Sequence, residues 1–421
     1  MSTHTIPTIA VIGGGPAGLM AAEVMGDAGA RVTVYECMPS VGRKFLIAGR
    51  GGLNVTHSEP YPAFLARYGA GSPQLRAALD AFPPDALRAW AGGLGQELFV
   101  GSSGRVFPRA WKASPLLRAW LARLAAAGTA IAVRHRWTGF GADGALRFET
   151  PDGPTTVRAD AVVLALGGAS WPRLGSDGSW AAILSAEGAA VAPLRPANCG
   201  LLFGWSERFR ARFAGEPLKR VALSYGGISV RGDAVVTNRG LEGGAVYPLS
   251  AAVGAGGVAG GSPVLSVDLR PDLDAARLAR SLGRPRGAQS ASTFLRKAAG
   301  LSPVAVALLR EASGRDLSSE PEALAALIKS VRLPIVGLDA MERAISSAGG
   351  LAWSELDDRF MLRRRPGLFA AGEMLDWDAP TGGHLLTASI ATGRAAADGA
   401  LRWLGERNAG DTSIRIPTFS C

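Results

Sequence analysis

The chain of 421 residues, 48% of them apolar and 19% charged, is too long for one typical domain and is not a wholly disordered protein. Its net charge of +10 favours nucleic acid or an anionic membrane as a partner. However, only five of the 45 basic residues are lysines and the arginines are scattered, which argues against both. The three cysteines lie far apart, so neither a disulfide framework nor a metal site is expected.

The first elements have the pattern of a βαβ unit. A buried strand is predicted at Thr8–Ile12, a helix at Pro16–Ala28 and a second strand at Arg31–Tyr35. A loop rich in glycine and arginine, Gly42–Thr56, comes next. Helices are then predicted at Gln74–Trp90, Pro115–Ala127 and Gly178–Glu187, and strands at Ala130–Val133, Leu146–Thr150, Thr155–Arg158 and Ala161–Leu166.

The character of the chain changes near Ala192. From there to Leu269, short alternating segments predict an antiparallel sheet with strands at Arg220–Ser224, Gly227–Val230, Ala234–Thr237 and Val264–Leu269. Four amphipathic helices are predicted to follow, at Asp272–Leu282, Ser290–Ala299, Pro303–Glu311 and Glu320–Lys329. A buried strand at Leu368–Ala371 and a long helix at Leu385–Gly399 complete the pattern.

These elements predict an α/β fold whose first domain is interrupted and then completed by C-terminal sequence. We expect a discontinuous Rossmann-like domain over residues 1–191 and 348–421, a β-rich insertion over 192–270 and 331–347, and a small helical module over 271–330. The N-terminus lacks the pattern of a signal peptide, and the apolar run near residues 251–260 is too short for a membrane span. We therefore expect a cytoplasmic protein.

A glycine-rich turn joins the first predicted strand to the first helix, and it reads Gly13-Gly14-Gly15-Pro16-Ala17-Gly18. This is the G-x-G-x-x-G pattern, in which the glycines permit a tight turn, backbone approach to a pyrophosphate and close packing of helix on strand. The phosphates would lie at the helix N-terminus, where free N–H groups and the helix dipole favour anions. Glu36, at the end of the second strand, is suited to the adenosine ribose. The alternative, a glycine turn that binds nothing, is disfavoured by this combination.

Two later segments separate FAD from NAD. The strand at 162–166, which includes Ala165, is followed by Gly167-Gly168. A later strand is followed by Gly372-Glu373, and the acid Glu373 is suited to a ribityl chain. Together with the N-terminal turn, these segments resemble the glutathione-reductase-type FAD fold, in which a C-terminal strand and helix complete the FAD domain. The resemblance implies FAD as the cofactor.

Further motifs point to one family. They are Gly42-Arg43-Lys44, Gly49-Arg50-Gly51-Gly52-Leu53-Asn54, Gly104-Arg105-Val106-Phe107-Pro108, Gly349-Gly350, Gly372-Glu373-Met374-Leu375-Asp376 and Thr381-Gly382-Gly383. Over nearly the whole chain they are similar to the BaiN/YhiN-like NAD(P)/FAD-dependent oxidoreductases, which include aminoacetone oxidase-like flavoproteins. The resemblance implies that the loop from Lys44 to Thr56, with Arg50, Gly51 and Asn54, covers the flavin. It also implies that Gly382, Gly383 and the helix near Leu385 address the pyrimidine side of the ring.

The chain departs from the family pattern at two places. The family loop often reads Gly-Gly-Gly-Arg-Cys-Asn, so the arginine of this chain, Arg50, is displaced and the cysteine is absent. His384 stands where the family commonly carries tyrosine. These departures indicate a distinct branch, so the substrate is not inferred from the resemblance.

The sequence offers candidates for catalysis without deciding among them. His384 and His57 lie nearest the presumed flavin loops and could exchange protons with substrate near neutral pH, with core packing and a solvated loop position as the alternatives. Arg50 could hold a substrate carboxylate or the flavin, or make a phosphate or structural contact. Cys37 and Trp137 are expected beside the adenosine.

We therefore expect an FAD-dependent oxidoreductase that exchanges a hydride between flavin N5 and a small organic substrate. The chain contains one G-x-G-x-x-G, so NAD(P)H, if it is the reductant, must bind without a Rossmann domain of its own. Two alternatives stay open: an FAD-dependent RNA-modification or RNA-binding factor, suggested by the charge, and a non-catalytic FAD-binding protein. The sequence does not give the oligomeric state.

Overall fold

The computed structural model describes residues 6–49, 51–69, 71–255, 263–314 and 317–410. The chain divides into two compact units, the first comprising Met1–Arg195 with Ser346–Cys421 and the second comprising Pro196–Ile345. Within the described ranges, no helix combines the length and the apolar character that a membrane crossing requires.

The N-terminal part of the first unit alternates between strands and helices. Its strands are β1 (Thr8–Ile12), β2 (Arg31–Glu36), β3 (Thr56–His57), β4 (Leu98–Val100), β5 (Arg105–Pro108), β6 (Ala130–Val133), β7 (Arg136–Phe140), β8 (Leu146–Thr150), β9 (Gly153–Val157), β10 (Ala161–Leu164) and, at the boundary, β11 (Val191–Ala197). Its helices are α1 (Pro16–Asp27), α2 (Arg43–Ala48), α3 (Tyr61–Ala66), α4 (Pro73–Ala81), α5 (Pro84–Gly93), α6 (Ala113–Ala126) and α7 (Trp180–Ala186).

The second unit contains a closed barrel and a group of helices. The strands are β12 (Leu201–Phe203), β13 (Pro217–Tyr225), β14 (Ile228–Val236), β15 (Gly240–Glu242), β16 (Val264–Asp268) and β17 (Val331–Leu338). They close in the order β12-β15-β14-β13-β16-β17 with antiparallel neighbours. The helices are α8 (Glu207–Phe213), α9 (Tyr247–Ala255), α10 (Ala275–Leu282), α11 (Ala291–Ala298), α12 (Pro303–Ser313) and α13 (Pro321–Lys329).

The C-terminal part returns to the first unit with β18 (Ser346–Leu351), β19 (Leu368–Ala370) and the long helix α14 (His384–Gly410). Strand β18 pairs with β11, and β19 joins β10 in a five-stranded sheet of order β19-β10-β1-β2-β6. All four pairings in that sheet are parallel. The predicted fold class, α/β with a Rossmann-like sheet completed by C-terminal sequence and with additional β-rich structure, is confirmed.

The parallel sheet is held by β1, β10 and β19, which are almost purely apolar and largely buried, as strands covered on both faces are. Val11 of β1 and Val163 of β10 are fully buried. Helix α1 packs against α14, and a Cβ atom on Gly393 of α14 would lie 2.3 Å from the carbonyl oxygen of Ala17. The helix begun by the N-terminal turn is therefore in backbone contact with the helix that ends the domain.

Several predicted elements are wrong in extent. The helix expected over Gln74–Trp90 is two helices, α4 and α5, because Pro83 and Pro84 interrupt the hydrogen-bonding pattern. The loop Gly42–Thr56 contains a short helix, α2, and the final helix is longer than Leu385–Gly399. The strands expected at Gly227–Val230 and Ala234–Thr237 form one continuous strand, β14.

We predict that Gly393→Ala destabilises the first unit by about 1–3 kcal/mol, because the added methyl group collides with the backbone of α1 and α14 must shift. Thermal unfolding followed by circular dichroism measures the effect as a lower melting temperature. Gly92→Ala in α5 is the control, since a Cβ atom there meets no atom within 4 Å. Equal melting temperatures for Gly393→Ala and the wild type would contradict the proposed tight contact.

Candidate functional site

A cleft opens at the carboxyl ends of β1, β2 and β10, the position at which parallel α/β sheets bind nucleotides. It is built within the first unit. The predicted cofactor residues that line it are Gly13, Gly15, Pro16, Ala17, Glu36, Cys37, Lys44, Trp137, Gly167, Gly372 and Glu373. Other lining residues that the sequence analysis did not single out as ligands include Tyr35, Arg43, His135, Leu174, Gly175, Ser176 and Ser389.

The glycine turn packs closely against neighbouring backbone on the side away from the cleft, and it borders open space on the side of the cleft. Gly13 has a φ of +108°, and a Cβ atom there would lie 2.2 Å from the carbonyl oxygen of Ala165. A Cβ atom on Gly18 would lie 2.0 Å from the carbonyl oxygen of Gly13, whereas one on Gly15 would meet no atom within 4 Å. Helix α1 begins with neither a side-chain cap nor an acid in its first turn. This is the arrangement that accepts a phosphate.

Glu36 is buried at the end of β2 and has a fixed orientation. Its Oε2 accepts the N–H of Gly14 at 2.9 Å, and its Oε1 accepts the N–H of Met38 at 2.8 Å. A carboxylate oxygen can accept more than one hydrogen bond, so both can still receive ribose hydroxyls. Burial and the neighbouring Glu36 raise the pKa of the Cys37 thiol to about 12. Cys37 is therefore a protonated, packing side chain at neutral pH.

Three polar atoms that line the cleft are buried without a hydrogen-bond partner: Nε of Arg43, Nε1 of Trp137 and Oγ of Ser176. A buried polar group left without a partner costs about 1–3 kcal/mol, so their grouping indicates a polar ligand. FAD has phosphates, ribose hydroxyls and adenine nitrogens along its length, and these residues fit it. Arg43 stands beside Lys44 in a family motif that the sequence showed, whereas Ser176 lies in a loop that carries no such signal.

Lys44 and Glu373 are held together at the C-terminal side of the cleft. The Nζ of Lys44 lies 2.6 Å from Oε2 of Glu373 and donates to Oγ of Ser170 at 2.7 Å. The other carboxylate oxygen of Glu373 accepts the N–H of Ser347 at 3.0 Å. This ion pair joins α2 to the segment after β19, so the two chain segments meet at the predicted ribityl position.

Other predicted cofactor residues lie outside this lining. A Cβ atom on Gly383 would lie 2.4 Å from Cα of Thr56, so the start of α14 approaches the end of the loop that contains Gly51 and Asn54. The Oδ1 of Asn54 is buried without a partner. Gly18 and Ala165 support the turn from behind, Gly382 precedes Gly383, and Leu385 lies in the first turn of α14. Arg50 lies outside the described residues.

The two candidate histidines both contact Glu59, His384 through the carboxylate and His57 through the backbone N–H. The His384 ring is buried, stacks on Phe64 and has its Nε2 2.9 Å from Oε1 of Glu59. Burial lowers the pKa of His384, although the bond to Glu59 acts in the opposite direction. For Glu59, burial acts to raise the pKa, but hydrogen bonds from Arg67 and His384 outweigh it and the pKa is lowered.

The second histidine of this cluster is also engaged in internal bonds. The Nδ1 of His57 accepts the N–H of Glu59 at 3.1 Å, and its Nε2 lies 3.1 Å from the carbonyl oxygen of Ser103. This pattern requires a proton on Nε2, so the 3.5 Å separation of Nδ1 from Oε1 of Glu59 is not an ion pair in that tautomer. The structure thus places His57 beside His384. Both ring nitrogens of His57 and Nε2 of His384 have structural partners, whereas Nδ1 of His384 is buried without one.

Asp378 is a titratable group that the sequence analysis missed. It lies in the loop between β19 and α14, where its Oδ1 accepts the N–H of Ala379 at 2.8 Å. Burial raises its pKa to about 6, with Glu373 adding to the rise and Arg195 opposing it. An acid with a pKa near neutrality in this loop is suited to proton transfer. Its environment comes from distant residues, so its sequence position alone gave no signal.

Comparison with known proteins identifies the family. The family described as the HI0933-like protein Rossmann domain matches residues 7–399. The chain belongs to the HI0933-like family. With the dinucleotide cleft described above, this membership makes the chain an FAD-dependent oxidoreductase, as the resemblance to flavoproteins implied.

One curated relative is similar to the chain in sequence, and two solved structures are similar to it in fold. The chain is 28% identical over 413 residues to the 3-dehydro-bile acid delta(4,6)-reductase of Clostridium scindens, and the alignment covers 93% of this chain and 99% of that one. It shares its fold with the 3-ketosteroid delta1-dehydrogenase of Sterolibacterium denitrificans, with a TM-score of 0.52, 13% identity and coverage of 94% and 100%. It also shares its fold with Mycobacterium smegmatis Sdh1, with a TM-score of 0.52, 16% identity and coverage of 97% and 71%.

We predict that Gly15→Val leaves the fold intact but weakens FAD binding at least about tenfold, because the side chain enters open space that a pyrophosphate would occupy. Fluorescence titration of the apoprotein with FAD measures the affinity, and circular dichroism checks the fold. Gly204→Val, which also enters open space but in the second unit, is the matched control. Wild-type affinity in Gly15→Val would exclude this turn as the phosphate site.

We predict that Asp378→Asn raises stability at pH 7–8 and has no such effect below pH 4. The folded-state pKa of about 6 lies above the ordinary 3.8, so the folded protein binds this proton more tightly. The free energy of unfolding therefore falls as the pH rises from 3.8 to about 6, by at most about 3 kcal/mol in total. Melting temperatures of both proteins across the pH range measure it, with Asp152→Asn in an exposed turn as the control. A pH-independent difference would contradict burial as the cause.

Proposed function

We propose that this protein is an NAD(P)H-dependent reductase that saturates a polarised carbon–carbon double bond in a small, largely apolar ketone. The observation that carries the proposal is the alignment with the bile acid reductase over nearly the whole of both chains. The overall reaction consumes NAD(P)H, a proton and the unsaturated ketone, and it gives NAD(P)⁺ and the saturated ketone. FAD, when bound, supplies the hydride exchange at N5.

The residues of the cleft would hold the cofactor along its length. The first turn of α1 would bind the pyrophosphate, and Glu36 would accept the ribose hydroxyls. Lys44 and Glu373 would face the ribityl chain, where their ion pair fixes the orientation of both side chains. The unpartnered Nε1 of Trp137 supports placing the adenine at the opposite end.

The start of α14 would act on the charge of the bound ring system. The long helix directs its N-terminus towards the segment Gly382-Gly383, and a helix N-terminus stabilises negative charge beside it. His384 is buried at the first position of the helix, and the Tyr68 hydroxyl donates to its carbonyl oxygen at 2.8 Å. We assign His384 a positioning role, because its ring is bonded to Glu59 and its burial favours the neutral form.

Proton delivery to the substrate carbon is assigned to Asp378. The saturation of a double bond next to a carbonyl needs one proton for every hydride, so an acid must reach the substrate carbon. Asp378 has a pKa of about 6 and precedes the Gly382-Gly383 segment, whereas both nitrogens of His57 have structural partners and burial lowers the pKa of His384, which makes that ring a poor acid. At neutral pH a group of this pKa can both release a proton and regain it.

The distribution of arginine supports a small-molecule enzyme over the RNA-binding alternative. Many arginines that contribute to the net charge are paired singly with acids, among them Arg67 with Glu59, Arg136 with Asp177 and Arg364 with Glu355. A phosphate-binding surface needs cations that are free to meet the backbone of the nucleic acid. The pairing reduces the number of such cations.

Anaerobic titration of the FAD-loaded protein tests the proposed function. We predict that NADPH or NADH bleaches the oxidised flavin absorbance, and that androstenedione then restores it while gaining two hydrogen atoms, as mass spectrometry would detect. The described part of the chain holds a single dinucleotide-type parallel sheet, so nicotinamide should bind weakly, with saturation at high concentration.

Androstanedione, which lacks the double bond, is the control and should leave the reduced flavin unchanged. Recovery of the absorbance by oxygen alone, without a saturated product from any unsaturated ketone, would identify an oxidase and reject the reductase proposal. A flavin that neither nicotinamide reduces would instead support the non-catalytic alternative.

A further inference from the structure

The small sheet β3-β5-β4 carries a row of aromatic and cationic side chains on one face. Successive residues of a strand point to opposite faces, so Arg105 and Phe107 of β5 share a face and the buried Val106 takes the other. Phe99 of β4 is the cross-strand neighbour of Phe107, and their rings lie 5.8 Å apart. The face therefore begins with a guanidinium group and continues as an aromatic surface about 7 Å further along the strand.

Trp111 extends this aromatic surface towards solvent. Its ring centroid lies 5.0 Å from that of Phe107 and 5.3 Å from that of Phe99, and half of the residue is exposed. Its backbone has a φ of +60°, an uncommon conformation for a bulky residue and one that occurs at ligand-binding positions. Leu53 donates its backbone N–H to the carbonyl oxygen of Trp111 at 2.8 Å. The surface is thus attached to the loop that the resemblance places over the flavin.

The same face reaches the two glycine segments of that region. A Cβ atom on Gly52 would lie 2.7 Å from Cε3 of Trp111, and one on Gly382 would lie 3.9 Å from Nε of Arg105. Neither glycine adds a side chain that would cover the face. The aromatic end and the cationic end each therefore lie beside a segment expected around the isoalloxazine.

Arg105 is available to bind a ligand. Within the described part of the chain its guanidinium makes no ion pair or side-chain hydrogen bond. By contrast, Arg109 at the end of the same hairpin is paired with Glu97, with 2.5 Å between Nε and Oε1. A free guanidinium group beside an aromatic surface is suited to a bidentate bond with a carboxylate.

We propose that Arg105, Phe107, Phe99 and Trp111 form the substrate-binding wall, and that it selects flat, apolar molecules that carry one carboxylate. The rings would stack on the apolar body, and Arg105 would hold the carboxylate. This inference deepens the proposed function by naming the substrate class, and it rests on that function only for the identity of the reacting bond. The positive charge of Arg105 favours an anionic ligand over a neutral one.

Equilibrium binding to the oxidised, FAD-loaded protein tests the inference without turnover. The probes are 3-oxo-4-etienic acid, a steroid enone with a carboxylate, and its methyl ester, and the readout is the change in flavin absorbance or in tryptophan fluorescence. In the wild type we expect the acid to bind at least about tenfold more tightly than the ester, the scale of one charge-assisted hydrogen bond. Equal affinities would overturn the proposal, and this comparison requires no variant.

Variants locate the effect. Arg105→Met should remove the preference for the acid, Arg105→Lys should keep part of it, and Arg109→Met is the matched control that should keep all of it. Trp111→Ala should weaken acid and ester alike by about tenfold, the scale of a lost aromatic stacking contact, whereas Trp111→Phe should retain binding. Full preference for the acid in Arg105→Met, with circular dichroism confirming the fold, would overturn the assignment.

The binding experiment and the turnover experiment test the two proposals separately. A protein that binds the acid through Arg105 but saturates no double bond would reject the proposed reductase function and support the wall. A protein that reduces androstenedione but binds acid and ester equally would support the reductase function and reject the wall.

Discussion

Close contact between backbones around the first turn of α1 is the constraint on which the structure depends. Gly13 and Gly18 allow β10 and α1 to approach this turn, and Gly393 allows α14 to pack on Ala17. Any side chain at these positions would separate the elements. Because α14 and β19 come from the end of the chain, the cleft at this turn exists only when both ends of the sequence have folded into one domain. In the sequence, the second unit is inserted between the two segments that together form the first unit.

This architecture forms the cleft but leaves some of the polar atoms that line it without hydrogen-bond partners. Lys44 and Glu373 satisfy each other, while polar atoms of Arg43, Trp137 and Ser176 are buried without partners. A protein interior contains few polar atoms without a partner. These three line one cleft, where a long polar cofactor would supply the missing hydrogen bonds. The cofactor would therefore contribute to the stability of the domain as well as to its chemistry.

The sequence predicted local features well where one cause dominated. The turn before α1 followed from glycine spacing between an apolar strand and a helix, and β19 followed from a short buried run. Prediction was wrong where two signals competed. The apolar periodicity of 74–90 suggested one helix, but Pro83 and Pro84 decide the backbone there. The strand β14 was divided in two because its central residues are polar and glycine-containing, although β13 pairs with Arg231 and Gly232 and the strand continues through the irregularity at Asp233.

By itself, the sequence predicted the glycine turn before α1 and the Rossmann-like sheet that C-terminal sequence completes, because these depend on the spacing of glycines and apolar residues near one another. Only the tertiary structure decided how the polar residues behave. His384 takes its partner from Glu59, 325 positions away, and burial by distant elements gives Asp378 its pKa of about 6. The guanidinium of Arg105 makes no ion pair or side-chain hydrogen bond in the described part of the chain. Charge, pKa and pairing depend on the surroundings in space, and folding alone assembles those surroundings.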